Sequence, residues 1–589
     1  MSKRQHNSAP PGRPDAQRRD GVQPYRRAVQ RPDAETVVFP APLKIRPETI
    51  DGFDPGHFPA PDAEAGSQPG GRARVVLRAR GRHGAGPVRY NTSTSRRTWV
   101  SRAVLLAILG VQAALTLRMQ NTAFEDEALY LSTGHMEIAH WLHGAALQGD
   151  YPSYFSGAPV LYPVLGAAAD SLGGLAAARA VSLLAMLATT GLLYSLTRRL
   201  FNERVGLCAA VCFSVTESAL FLGNLATYDA TALFLLAIAS WIIVRTAAFR
   251  WPVYLLAAPV VVLTVATKYA SLLYVPTVVA LTALAAGPHR GRKALIPPAA
   301  FAAAVAALLI GAVHLAGPDY LKGIEFSTTA RAGGTTPTTV LLRDCLIWGG
   351  LPFVLAAFGA FAYAIRPHNE PGELIAPPGG RFRRIALGVV LAGTALLAPA
   401  EQIRLHTETS LQKHIGFGLF FAAPLVGAGL ARIVGDHFRR AQVGIAIWGA
   451  ALALGMAQAY DLFTGWPNST VFVREMARYL QPGAHYLVEV DEVPVYYLRG
   501  YPDARPDQFT STYYIGYVGT DGQFRTGAAG YQAAIKAGYF RVIAYTGQVT
   551  RPVDSLLART LEADPSYRLA AAIPNRGDNG TYYIWVKRQ

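Results

Sequence analysis

Three long runs, Val253–Ala266, Ala299–Leu315 and Ile445–Ala457, contain no Asp, Glu, Lys or Arg. Nothing else in the sequence restricts the possible folds as strongly. A bilayer's hydrocarbon core takes about 20 consecutive apolar residues in a helix, and flanking small residues bring several runs here to that length. Charged residues are 16% of the whole and are concentrated between such runs. We read the chain as an integral, multi-pass membrane protein.

The spans drawn from hydropathy begin with 99–117, 175–196, 205–222 and 230–243. Next come 252–266, 270–286, 294–316 and 346–365, and the last three are 385–398, 415–433 and 443–460. That makes about 11 crossings. Basic residues punctuate alternate loops: Arg198-Arg199, Arg245/Arg250, Arg290/Arg292/Lys293, Arg381/Arg383/Arg384 and Arg439-Arg440. With the basic amino-terminal region they assign one side to the cytoplasm, and an odd span count then places the carboxyl-terminal region outside.

The net charge of +17 therefore reads as a topology signal, not as a nucleic-acid footprint. Residues 1–97, rich in Pro, Gly, Arg and Asp, read as a disordered, basic cytoplasmic tail. Their apolar neighbour starts too late for a cleaved signal peptide. The three cysteines lie in or beside apolar segments and form neither a disulfide framework nor zinc spacing.

The membrane domain is drawn at 98–460, with a long first outer loop at 118–174. Within that loop, Val160–Ala169 is too short to cross and suggests a re-entrant or interfacial helix. After Tyr460 the pattern changes to a small soluble α/β domain, 461–589. Its expected strands are Tyr486–Val490, Val495–Leu498, Arg541–Tyr545 and Thr581–Val586, with helices at Val471–Leu480 and Tyr531–Ala537. The fold class is thus an all-α polytopic membrane protein with a small extracytoplasmic α/β domain.

Candidate chemistry collects in the outer loops. Glu125, Asp126 and Glu127 open a segment that reads as helical from Glu125 to Leu142, and acidic residues also suit a first helical turn. Tyr228-Asp229 stands at the outer end of the third span, where Asp could equally cap the fourth helix. Lys268 occupies an outward turn, where it either snorkels or meets an anionic headgroup. Arg404, His406, Lys413 and His414 gather before a late span, and Arg331 of the preceding outer loop can join them. His140, His143 and Glu137 are too few to define a metal site. Gly333-Gly334 lacks the strand–loop–helix context of a phosphate loop.

The acidic cluster after the first span, the long loop with Tyr-Pro elements, Tyr228-Asp229, the outward Lys268 and the late basic loop together resemble the GT-C glycosyltransferases. The similarity is strongest to the family-39 type, which includes protein O-mannosyltransferases and the aminoarabinose transferase that modifies lipid A. It covers roughly residues 99–460. The resemblance implies a polyprenyl-phosphate-linked sugar as donor and a lipid, glycan or protein hydroxyl as acceptor. It implies catalytic roles for Asp126, Glu127 and Asp229, and donor-phosphate contacts for Lys268, Arg331, Arg404, Lys413 and His414. Tyr228 and His406 would touch substrate. No metal ligand or cofactor is implied with certainty, and the sequence neither requires nor rules out a divalent metal. One departure from the family is the count of about 11 spans, where relatives often have more.

The expected activity is inverting sugar transfer on the extracytoplasmic face of the plasma membrane. Two other classes are compatible with the sequence: a secondary transporter using the same carboxylates, and a noncatalytic envelope assembly protein.

Overall fold

A computed structural model describes residues 95–249, 252–365, 380–576 and 579–588. The expected tail lies outside the described residues apart from the helical backbone from Ser95, as does Arg250.

The first helix, α1 (Ser95–Leu117), leads into α2 (Glu125–His143), which matches the helix read in the first outer loop. Then comes α3 (Tyr162–Leu200), whose 39 residues would extend about 58 Å, far beyond a hydrocarbon core of about 30 Å. It is interrupted at Gly173 and Gly174, the latter at φ 65°, a conformation open to glycine and strained for other residues. The break separates the short stretch expected to be re-entrant from the span expected to start at Leu175.

Helices α4 (Glu203–Phe213) and α5 (Glu217–Gly223) are bent by 66° and occupy one expected span. They are followed by α6 (Tyr228–Thr246), α7 (Ala257–Thr267), α8 (Val275–Arg290) and α9 (Ile296–Ala316). After the short α10 (Pro318–Ser327), α11 (Thr338–Ile365) begins eight residues before its expected start at Leu346. The bent pair α12 (Arg381–Thr394) and α13 (Leu397–Leu405), then α14 (Leu411–Val434) and α15 (Ala441–Thr464), complete the bundle. Among the described residues, seven helical stretches are long and apolar enough to cross a bilayer, or nine if each bent pair is one crossing. The sequence reading of 11 is higher for two reasons: one of the seven stretches contains both α8 and α9, and the stretch ending in α7 is short.

Helix α14 is apolar around most of its circumference and is accordingly the central helix, with 89% of its apolar window buried. Phe417, Phe420 and Phe421 pack there in the same core as Leu233 and Leu236 of α6 and Val278 and Leu281 of α8. The basic loops meet at one end of the bundle. Arg199 donates to Arg245 O at 2.8 Å, Arg290 to Phe249 O, Arg383 to Leu284 O at 2.7 Å and Arg204 to Gly435 O at 2.6 Å.

At the other end sits the carboxyl-terminal domain. Its chain order is α16 (Thr470–Ala477), β1 (His485–Val488), α17 (Glu492–Leu498), β2 (Phe509–Ser511), β3 (Gly516–Val518), β4 (Phe524–Thr526), α18 (Gly527–Lys536), β5 (Phe540–Tyr545), α19 (Arg551–Glu562), β6 (Tyr567–Pro574) and β7 (Thr581–Lys587). The main sheet runs β2-β1-β5-β7-β6. Strand β1 is parallel to β2 and β5, and β7 is antiparallel to β5 and β6. Segment 495–498 was expected to be a strand but is helical in α17. Pro494 falls in its first turn and removes an N–H that a central strand would need, and Val493 and Tyr496 are buried in one cluster and Leu498 in another.

Candidate active site

The three acidic residues that open α2 take different directions, because successive helical residues are rotated by about 100°. Glu127 is fully buried. The Arg179 guanidinium donates to its two oxygens at 2.8 and 2.6 Å, and the backbone N–H of Ala226 donates to it at 2.7 Å. Arg179 also reaches Asn121 O at 2.9 Å, so one ion pair joins α2, α3 and the turn before α6. Glu127 was expected to be catalytic; its position is behind the cleft, held among structural partners.

Asp126, next to it, lines an open cleft of about 1550 Å³ that includes its mouth to solvent. Its side chain is 37% exposed and ion-pairs with Lys413. The second candidate carboxylate, Asp229, is only 2% exposed, although it also borders the cleft. Its Oδ1 meets Lys268 Nζ at 2.7 Å, and its Oδ2 accepts from Thr227 Oγ1 at 2.9 Å. Thr227 is the residue at the N-cap of α6, so the capping role considered for Asp229 is not the one it has.

Lys268 follows α7 in extended conformation, with its ammonium 4.9 Å from the centre of the Tyr228 ring. The turn is held from outside. Ala158 N–H donates to Ala266 O at 2.8 Å, and Tyr269 N–H donates to Ser156 O at 2.8 Å. Between these bonds a Cβ on Gly157 would fall 2.1 Å from Thr267 O, so only glycine fits this approach. The Tyr228 hydroxyl accepts from Tyr130 at 2.7 Å, and the rings lie 4.5 Å apart. Burial, reinforced by Asp126, raises the Tyr130 hydroxyl well above its ordinary pKa and keeps it a neutral donor.

Lys413 and His414 enter the cleft from the first turn of the central α14. The preceding Ser410, also at the cleft, has φ 60°, an unusual conformation for serine that sets the start of this helix. His414 Nδ1 lies 3.2 Å from Gln402 Nε2, and Arg331 donates to Thr409 O at 3.2 Å. A second groove shares Lys268, Arg331 and His414 with the cleft and continues along Leu272, Leu273, Tyr274 and Phe417. Arg404 lines only this groove, where it pairs with Glu401 at 2.5 Å. His406 lines neither. It is exposed, closes the end of α13 at φ 50°, and its role as a substrate contact is not supported by this placement.

Seven expected residues thus share one cleft: Asp126, Asp229, Lys268 and Lys413, with Tyr228, Arg331 and His414. Sequence reasoning missed Arg179, although an arginine among alanines inside an apolar run is a signal that a buried carboxylate is its partner. It also missed Tyr130 and Glu492; the latter brings the carboxyl-terminal domain to the cleft wall. No group of three or more His, Cys, Asp or Glu side chains suited to a metal occurs among the described residues.

Residues 159–316, about a quarter of the chain, match the family model described as dolichyl-phosphate-mannose-protein mannosyltransferase. No curated protein matches the sequence. Among solved structures, ArnT from Cupriavidus metallidurans bound to undecaprenyl phosphate superposes with a TM-score of 0.52 at 14% identity, covering 84% of this chain and 98% of that one. The oligosaccharyltransferase of Archaeoglobus fulgidus in its apo form gives 0.49 at 14% identity, covering 84% and 75%. The likeness to ArnT shows the fold, which the two chains share across 84% of this one.

Proposed function

We propose that the protein is an inverting glycosyltransferase that moves a sugar from a polyprenyl-phosphate donor to a hydroxyl of a lipid, glycan or protein acceptor. One observation carries the reading most directly. Asp126 is a solvent-reachable carboxylate in a cleft whose other charged groups include Lys268, Arg331 and Lys413, and an apolar groove leads out of that cleft. The ArnT structure contains undecaprenyl phosphate, a ligand with the same two parts: an anionic head and a greasy tail.

In this reading the tail lies along Leu272, Leu273 and Phe417, and the phosphate meets Lys268, Lys413 and Arg331. The acceptor O–H gives its proton to a carboxylate oxygen of Asp126 as its oxygen bonds to the anomeric carbon. The bond from that carbon to the phosphate oxygen breaks, and the electron pair leaves on the phosphate. A positioned base contributes about 10²–10⁴-fold, and the lysines stabilise charge developing on the leaving group. Asp229 supports inversion indirectly. Its burial and its two partners favour holding Lys268 over acting as a nucleophile. Arg404 belongs to the groove, and His406 is not assigned a role.

The basic loops at the opposite end favour a cytoplasmic amino terminus, with cleft and carboxyl-terminal domain on the extracytoplasmic face. The sites of transporters usually lie near the bilayer midplane, whereas this cleft is at the bundle end that carries the soluble domain.

The test is native mass spectrometry of the detergent-purified protein, wild type against Asp126→Asn. The expected result is polyprenyl monophosphate on the wild type and enrichment of its sugar-bearing form on the variant, with the added mass giving the sugar class. Absence of polyprenyl phosphate from both would remove the reading's main support.

A further inference from the structure

Away from the cleft, Asp170 of α3 is a carboxylate engaged from both sides of the junction of the two domains. Its side chain has no exposure. Three side chains converge on it: Tyr496 OH donates to Oδ1 at 2.5 Å, while Arg499 Nη2 and His135 Nε2 contact Oδ2 at 2.7 and 2.6 Å. Tyr496 and Arg499 come from α17 and the residue after it, and His135 from the middle of α2. Charge-assisted bonds of this kind are strong and directional.

The same soluble-domain helix grips the other end of the catalytic segment. Ala123 N–H donates to Tyr497 OH at 2.8 Å, and Trp466 Nε1 donates to Ala123 O at 3.0 Å. Asp126 therefore lies on a stretch tied to the carboxyl-terminal domain on both sides, at Ala123 and at His135. Helix α17 also begins with Glu492, a residue of the cleft wall.

We infer that Asp170 is a positioning residue: by docking α17 against α2 it sets the placement of Asp126, so that turnover depends on the registry of the soluble domain. The inference rests on the assignment of Asp126 as base. A misplacement of about 1 Å can cost about 10²-fold in rate. Of the cations expected to hold the donor phosphate, Lys268 is on an element outside this junction and Lys413 meets it only through its ion pair with Asp126, so the larger effect falls on kcat and the smaller on donor affinity.

The experiment compares full-length wild type, Asp170→Asn, Tyr496→Phe and the double variant. It measures kcat and donor KM per folded enzyme, polyprenyl monophosphate binding, and amide hydrogen exchange. Asp170→Asn is expected to lower kcat by ~10²-fold, with a much smaller change in donor KM and phosphate binding passed on through the Asp126–Lys413 pair. Exchange should rise in Asn121–His143 and Glu492–Leu498. Tyr496→Phe, which keeps the ring, should lose less, and the double variant should be no worse than Asp170→Asn alone. If Asp170→Asn does not fold, Tyr496→Phe and Arg499→Lys are expected to show a graded kcat loss with the same exchange signature. Unchanged kcat and exchange, or a loss confined to donor binding, would overturn the inference. If wild type neither binds polyprenyl phosphate nor turns over, the glycosyltransferase reading fails. The exchange data then decide the docking role by themselves.

Discussion

The Arg179 guanidinium holds Glu127 at 2.8 and 2.6 Å, which commits to structure the carboxylate adjacent in sequence to Asp126. Two neighbouring acids in one helical turn therefore have separable functions, one reachable from the cleft and one sealed behind it.

Substitution should distinguish them. Asp126→Asn is expected to retain the fold and to lose about 10²–10⁴-fold in turnover, the usual contribution of a positioned base. Glu127→Gln leaves Arg179 buried beside a neutral partner, and breaking a buried pair costs about 3–5 kcal/mol. Its signature is a lower yield of folded protein and a lower melting temperature. Thermal melts beside single-turnover rates check both; equal folding and equal activity loss in the two variants would contradict the assignment.

Lys268 and Asp229 form a buried pair of 5% and 2% side-chain exposure. Lys268→Met strands the carboxylate and should destabilise by about 3–5 kcal/mol, and Asp229→Asn strands the ammonium at comparable cost. Lys268→Met with Asp229→Asn should recover most of the stability, because no uncompensated charge remains. It should not recover donor binding, since the ammonium is still missing. Melting temperature and polyprenyl monophosphate affinity, measured across the four proteins, separate the pair's structural share from its functional one.

The carboxyl-terminal domain should be sensitive to pH through Asp554. Burial first, and the neighbouring Glu489 second, push its pKa from the ordinary carboxylate range up to about 8. A raised folded-state value means that the native domain binds this proton more tightly than the unfolded chain. The stabilisation is complete below about pH 4, near the unfolded value, and is lost as pH rises through 8. Hydrogen exchange in α19 should accelerate between pH 5 and 9 beyond its intrinsic base-catalysed trend. Asp554→Asn should flatten the excess.

Much of this was legible in sequence wherever apolar length or helical periodicity decided the outcome. Helix α2 was read as Glu125–Leu142 and ends at His143, and each expected span falls on helix. What sequence could not resolve was direction. Nothing in Glu125-Asp126-Glu127 says which side chain faces the cleft until Arg179 is placed against one of them. Likewise Val495–Leu498 has strand composition, and its burial against α2 and the proline before it made it helix. His406 looked equivalent to Lys413 and His414 in a basic loop. A left-handed residue at the end of α13 turns the chain so that only the latter two reach the cleft.

Gly157 offers a test of how Lys268 is aimed. A Cβ there would lie 2.1 Å from the Thr267 carbonyl oxygen and 3.5 Å from the Lys268 Cα. Backbone cannot yield as a flexible side chain can, so Gly157→Ala must push the outer loop and the Lys268 turn apart. Both bonds flanking that contact, Ala158 to Ala266 and Tyr269 to Ser156, would stretch together. Donor affinity is expected to fall about tenfold, equivalent to about 1.4 kcal/mol, while Asp126 on a separate element keeps its placement. Gly110, with nothing within 4 Å of its Cβ position, is the matched control. Gly110→Ala should leave donor affinity unchanged, since alanine only replaces a poorer helix former in α1. Titration with polyprenyl monophosphate decides the case: equal affinity in both glycine variants would mean that the first outer loop does not set the position of Lys268.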